Sequence, residues 1–62
     1  MKNLKVGELL CHFTYTDYEI RNHCGEPIFE DYIEEEYKGC PYDNLNIVEC
    51  YNEVYSKLII KV

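Results

Sequence analysis

At Thr14 the spacing of apolar side chains changes from helical to alternating, and that switch limits the chain to one short helix followed by strands. Val6, Leu9, Leu10 and Phe13 recur at i, i+3, i+4 and i+7, the stripe of a helix packed on one face. The spacing predicts a helix over 4–13, with Glu8 near its positive N-terminal end. Gly7 inside this stretch costs about 1 kcal/mol relative to alanine unless it serves as the cap. From Thr14 onward, Thr14, Thr16, Tyr18 and Ile20 alternate with Tyr15, Asp17, Glu19 and Arg21, and the β-branched and aromatic content predicts a half-buried strand. Asn22-His23-Cys24-Gly25 reads as a turn. Pro27 can open a strand but not occupy its middle, so Ile28 to Ile33 is expected to pair back as a hairpin.

Glu34-Glu35-Glu36 ends that strand, because three adjacent like charges place at least one on each face of a sheet. The segment to Asn46, with Gly39, Pro41 and Asp43-Asn44, is the longest irregular stretch and the natural place for function. Ile47 to Tyr51 and Lys57 to Val62 read as two more strands around a turn at Asn52-Glu53, with Leu58, Ile60 and Val62 on one face. A helix over Leu45 to Tyr55 is the alternative, since Leu45, Val48, Tyr51 or Asn52, and Tyr55 roughly keep its period. The expected fold is α+β, a short N-terminal helix on a small, mainly antiparallel four-stranded sheet, with residues 1–62 as a single domain.

A chain of 62 residues buries little core, so hydrophobic gain and chain entropy nearly cancel. A partner, a second copy of the chain, a metal or a disulfide would each relieve that margin. Cys11-His12, His23-Cys24, Cys40 and Cys50 offer six zinc-ligand types, but the adjacent pairs diverge in any regular element and lack knuckle spacing. The expectation is no metal and no cofactor: Cys11, Cys40 and Cys50 act as small buried hydrophobes, and His12 and His23 lie at the surface. The residues after Met1 to Lys5 form no apolar signal core, and there is no run of 18 apolar residues. The expected compartment is therefore the cytoplasm, where the four cysteines stay reduced.

No catalytic pattern stands out. A thiolate nucleophile needs a base in contact and an oxyanion hole in a cleft, and the sequence has no glycine-rich elbow to build one. Adjacent exposed glutamates do not acquire the separated pKa values that glycoside hydrolysis demands. Gly7, Gly25 and Gly39 stand alone, so the phosphate-cradling motifs are absent. The chain is expected not to be an enzyme.

Charge is more informative. Twelve acidic side chains face six basic ones, for a net charge of −6. Glu26, Glu30, Asp31, Glu34, Glu35, Glu36 and Asp43 share their stretch with the single base Lys38, and charges elsewhere balance. Such a face repels phosphate and anionic lipid, which argues against nucleic acid and membrane and for a basic protein partner. Tyrosine is also in surplus, seven in 62 residues. Tyr18, Tyr32 and Tyr51 are the expected core members, while Tyr37 and Tyr42 fall in the acidic loop, where burial is hard to arrange. Tyrosine is enriched at protein interfaces, so tyrosine beside clustered glutamate suits a docking surface. The plainer possibility is a solvated loop kept for solubility.

The chain contains no Ala, Gln or Trp, and Asn, Ile, Lys, Tyr and Glu fill 32 of its 62 positions, as AT-rich codon usage produces. It opens on Leu4-Lys5-Val6-Gly7-Glu8-Leu9-Leu10 and closes on Leu58-Ile59-Ile60-Lys61-Val62. In that style it resembles the small acidic accessory proteins of bacteriophages and mobile elements, some of which are anti-defence proteins, anti-CRISPR inhibitors included. The resemblance implies that clustered acids imitate phosphates. The run Glu34 to Glu36 is compact, so it suits plugging a local basic site better than imitating an extended duplex. The functional expectation is a non-enzymatic protein-binding module in which Glu30, Asp31, Glu34, Glu35 and Glu36 meet the Lys and Arg of a nucleic-acid-binding host protein, with Tyr37 and Tyr42 as apolar anchors. The alternative is a structural subunit that homo-oligomerises through a sheet edge, with the acidic loop only solvating it.

Overall fold

The computed structural model describes residues 4–53 and 57–62. One helix, α1 (Val6–Leu10), precedes four strands, β1 (Thr16–Arg21), β2 (Pro27–Ile33), β3 (Glu49–Asn52) and β4 (Leu58–Lys61). They form one sheet in the order β2-β1-β4-β3. The α+β expectation holds, but the sheet is mixed: β1 pairs antiparallel with β2 and parallel with β4, and β4 pairs antiparallel with β3. Leu58, Ile59 and Ile60 explain the central parallel pair. All three are buried, which requires a strand covered on both faces and flanked on both sides, and β1 is the neighbour with a matching apolar face. No helix among the described residues is long and apolar enough to cross a membrane.

The helix is shorter than the predicted 4–13, because its first turn is shared with a distant segment. Lys5 bridges Asn46, and the N–H groups of Val6 and Gly7, which a helix start leaves orphaned, donate to the carbonyls of Leu45 and Asp43 at 3.0 and 3.1 Å. Glu8 accepts from the Lys5 amide at 2.9 Å. After Leu10 the bonds tighten to i−3 at His12 and Phe13, and Tyr15 takes a positive φ of 52°, so β1 starts at Thr16 instead of Thr14. Gly7 allows the docking. A Cβ there would stand 3.0 Å from the Asp43 side chain. Gly7→Ala is therefore expected to destabilise the fold by about 1–3 kcal/mol despite alanine's higher helix propensity, as a denaturant melt would show.

The Asn22–Gly25 turn is built as the sequence suggests. Asn22 Oδ1 accepts from the amides of Cys24 and Glu26, and Gly25 adopts φ 88°. Pro27 stands at the end of the β1–β2 ladder, where a bulge absorbs Ile28. β3 and β4 form a second hairpin, extended by the Glu53 amide donating to the Lys57 carbonyl at 2.8 Å. The helical alternative for Leu45 to Tyr55 fails over the described part, and Tyr55 lies outside the described residues. Asn52 ends β3 instead of turning the chain.

Val6 and Leu10 pack with Tyr18, Ile20, Ile33, Leu58 and Ile60 in one core on one face of the sheet. Ile59 is fully buried on the other face, between its cross-strand neighbours Glu19 and Tyr51. That face carries an ion network in place of a second layer. Glu19, itself buried, pairs with Arg21 at 2.5 Å and with Lys57 at 3.4 Å, and Lys57 reaches Glu30 at 2.5 Å. The hydrogen bond from Arg21 holds the Glu19 carboxyl below its ordinary value.

Candidate functional site

β2 is an edge strand, and its residues alternate across the sheet. Asp31 lies opposite Tyr18 in the ladder, on the core side, whereas Glu30 lies opposite Glu19 on the other face. Beyond Ile33 the Glu34 carbonyl accepts from the Tyr15 amide at 2.7 Å, and the chain leaves the sheet as Glu34-Glu35-Glu36, all exposed.

Tyr37 then turns inward. Its ring meets Tyr18 edge-on with centroids 6.2 Å apart, and its hydroxyl donates to Asp43 Oδ1. Gly39 reverses the chain at φ 100°, a conformation that suits glycine, and the Cys40 amide donates to Asp43 Oδ2 at 3.3 Å. Tyr42 packs edge-on against Phe29 with centroids 5.7 Å apart. Tyr37 and Tyr42 are thus half-buried pegs that hold the acidic segment to the core, and their apolar area is largely used within the fold. This corrects the expectation of exposed anchors; the aromatic edges of Tyr18 and Phe29 supply the burial that the local sequence could not.

Two other assignments change with the pairing register. Tyr32 and Tyr51, expected in the core, are 47% and 39% exposed, because each falls on the face opposite Tyr18. Cys11 and Cys50 are exposed and Cys40 only half-buried, so none of the three is the buried hydrophobe expected; all four cysteines are free thiols. α1 ends at Leu10 and leaves Cys11 outside, and β3 lies at the sheet edge beyond the helix.

Of the residues singled out from the sequence, Asp31, Glu34, Glu35 and Glu36 gather on one side of the molecule, and Glu30 does not. Glu34, Glu35, Glu36 and Lys38 line an open concavity of about 430 Å³. Beside it a smaller cavity, about 110 Å³, lies between the end of β2 and the loop, lined by Asp31, Glu34, Glu36, Tyr37, Lys38 and Tyr18, among others. Glu30 belongs to the ion network through Lys57. None of Asp31, Glu34, Glu35 and Glu36 forms an ion pair among the described residues.

Sequence reasoning missed two members of this region. Asp43, counted as one more acid, is the acceptor that organises the loop. Tyr18 was placed in the core correctly, but its hydroxyl is buried with no hydrogen-bond partner among the described residues. The residue opposite Asp31 in the ladder was the available signal, and reading it required the register. Burial holds the hydroxyls of Tyr18 and Tyr37 protonated well above the ordinary tyrosine value of 10.0, and Asp43 adds to the effect at Tyr37. The unfolded chain releases those protons from about pH 10 while the folded chain keeps them, so stability is expected to fall as pH rises past that point. Alkaline melts of wild type and of Tyr37→Phe should show the decline lessened in the variant.

No three His, Cys, Asp or Glu side chains group as metal ligands among the described residues. The site is a surface of uncompensated carboxylates on a braced loop, suited to attract cations. Compared with known proteins, the chain matches no family model, no curated protein and no solved structure.

Proposed function

We propose that this chain is a non-enzymatic protein-binding module that docks Asp31, Glu34, Glu35 and Glu36 on a basic surface of another protein. In the phage setting that the resemblance implies, the partner is a host defence protein and the basic surface its nucleic-acid-binding site. One observation carries the reading. The ion pairs found among the described residues engage Glu19, Glu30, Glu49 and Glu53, while the four carboxylates beside the loop are left without a cation. A field of one sign that the molecule does not neutralise speeds the approach of an oppositely charged partner and selects it. Tyr37, Asp43 and Gly39 hold the loop that carries these charges, which lowers the ordering cost of binding.

A second reading rests on a different observation. β2 and β3 are open sheet edges, and Ile28, Tyr32, Val48 and Tyr51 beside them are exposed, which suits self-association. Salt separates the two. Docking through the carboxylates is expected to slow as salt rises, because steering is screened beyond about 8 Å at physiological ionic strength. Association rates measured for a captured basic partner at low and high salt test this, and a salt-independent rate would overturn it. Self-association would instead appear as concentration-dependent sedimentation that persists in high salt.

A further inference from the structure

Every polar group of the core except one has been given a partner, and the exception points into the acidic side of the molecule. Tyr18 is 1% exposed, its hydroxyl has no hydrogen-bond partner among the described residues, and it lines the cavity of about 110 Å³ beside the acidic segment. A buried hydroxyl without a partner costs stability, so its place at a cavity wall asks for a ligand. Asp31, opposite Tyr18 in the ladder, and Glu34 and Glu36 line the same space, so the walls combine negative charge with a neutral oxygen acceptor. The volume corresponds to three or four waters at about 30 Å³ each, room for the head of one side chain and not for a nucleotide or a peptide backbone. A metal is the weaker occupant, since no three His, Cys, Asp or Glu side chains converge as ligands among the described residues.

We infer that this cavity is a socket for one cationic side-chain head, the ammonium of a lysine or the guanidinium of an arginine on the basic partner. The inference rests on the docking reading and sharpens it. Glu34 to Glu36 supply the field, and the socket supplies the fixed point that sets register. The cation donates to the Tyr18 oxygen and to the carboxylates, which are acceptors only. Lys38 stands at the same cavity and forms no ion pair with those carboxylates among the described residues, so it is a like charge that a ligand must approach.

The test uses the whole chain and single-residue probes: lysine and arginine, each acetylated at the α-amine and amidated at the carboxyl, with the norleucine analogue as the uncharged control. Amide shifts are followed by NMR during titration. The expected result is millimolar binding of the lysine or arginine probe, with the largest shifts at Tyr18, Asp31, Tyr37 and Gly39, and no comparable effect from norleucine. Tyr18→Phe keeps the ring and removes only the unpartnered hydroxyl, so it should fold with an equal or higher melting temperature and bind the probe about tenfold more weakly. Lys38→Met should bind it more tightly.

Equal shifts from norleucine, no shifts at the cavity, or unchanged binding by Tyr18→Phe would each overturn the socket. Loss of the socket leaves the docking reading in place as long as a captured partner still responds to reversal of Glu34, Glu35 and Glu36. If the partner ignores that reversal, the docking reading falls even where the small probes bind.

Discussion

Reversing Glu34, Glu35 and Glu36 to lysine together is expected to weaken binding of the basic partner by several kcal/mol, because attraction at the contact becomes like-charge repulsion. Each reversal adds two charges, so the net charge moves from −6 to zero. The neutral triple change to glutamine should fall between wild type and the reversal. Stability should stay within about 0.5 kcal/mol, since the three side chains are exposed and form no ion pair among the described residues. Relief of repulsion among three adjacent glutamates even favours the neutral variant. A binding titration at two salt concentrations, paired with thermal melts, measures both effects. Wild-type affinity in the reversed protein would reduce the acidic segment to a solvated loop, whereas loss of affinity together with loss of the fold would show that the charges brace the structure.

Asp43→Ala is expected to cost about 2–4 kcal/mol, although the residue is a half-exposed acid in a loop. Its carboxylate receives the Tyr37 hydroxyl and the Cys40 amide, and no other acceptor is in place for the Tyr37 hydroxyl. Removal leaves a second tyrosine hydroxyl unpartnered beside that of Tyr18. The backbone bond from the Gly7 amide to the Asp43 carbonyl survives, so the helix start should persist while the loop loosens. Asparagine retains an acceptor oxygen and should cost less. Denaturant melts measure the loss, and hydrogen exchange at Tyr37, Cys40 and Leu45 should rise first if the carboxylate is the latch. Partner binding is expected to weaken as well, because Glu34 to Glu36 lose their rigid base, even though Asp43 is not part of the docking surface.

The sequence by itself determined the local elements and the charge map. The i, i+3, i+4 stripe of Val6, Leu9 and Leu10 made a helix, and alternation around Tyr18 and Ile20 made a strand. Asn22 and Gly25 made the turn, and Pro27 could only open β2, because each of these depends on neighbours within a few residues. The concentration of acids around Glu34 to Glu36 was equally plain, since charge needs no tertiary context to be counted. Tertiary structure decided which residues share a face across strands. Insertion of β4 beside β1 made the sheet mixed, and it did so because Leu58, Ile59 and Ile60 need cover on both faces. The helix stopped at Leu10 because its first amides bond a loop more than thirty residues away in sequence. Register separated Glu30 from Asp31, sent Tyr32 and Tyr51 to the open face, and turned Tyr37 and Tyr42 inward onto Tyr18 and Phe29. A strand's two faces differ by a single residue step, and only its pairing with distant strands sets which face meets the core.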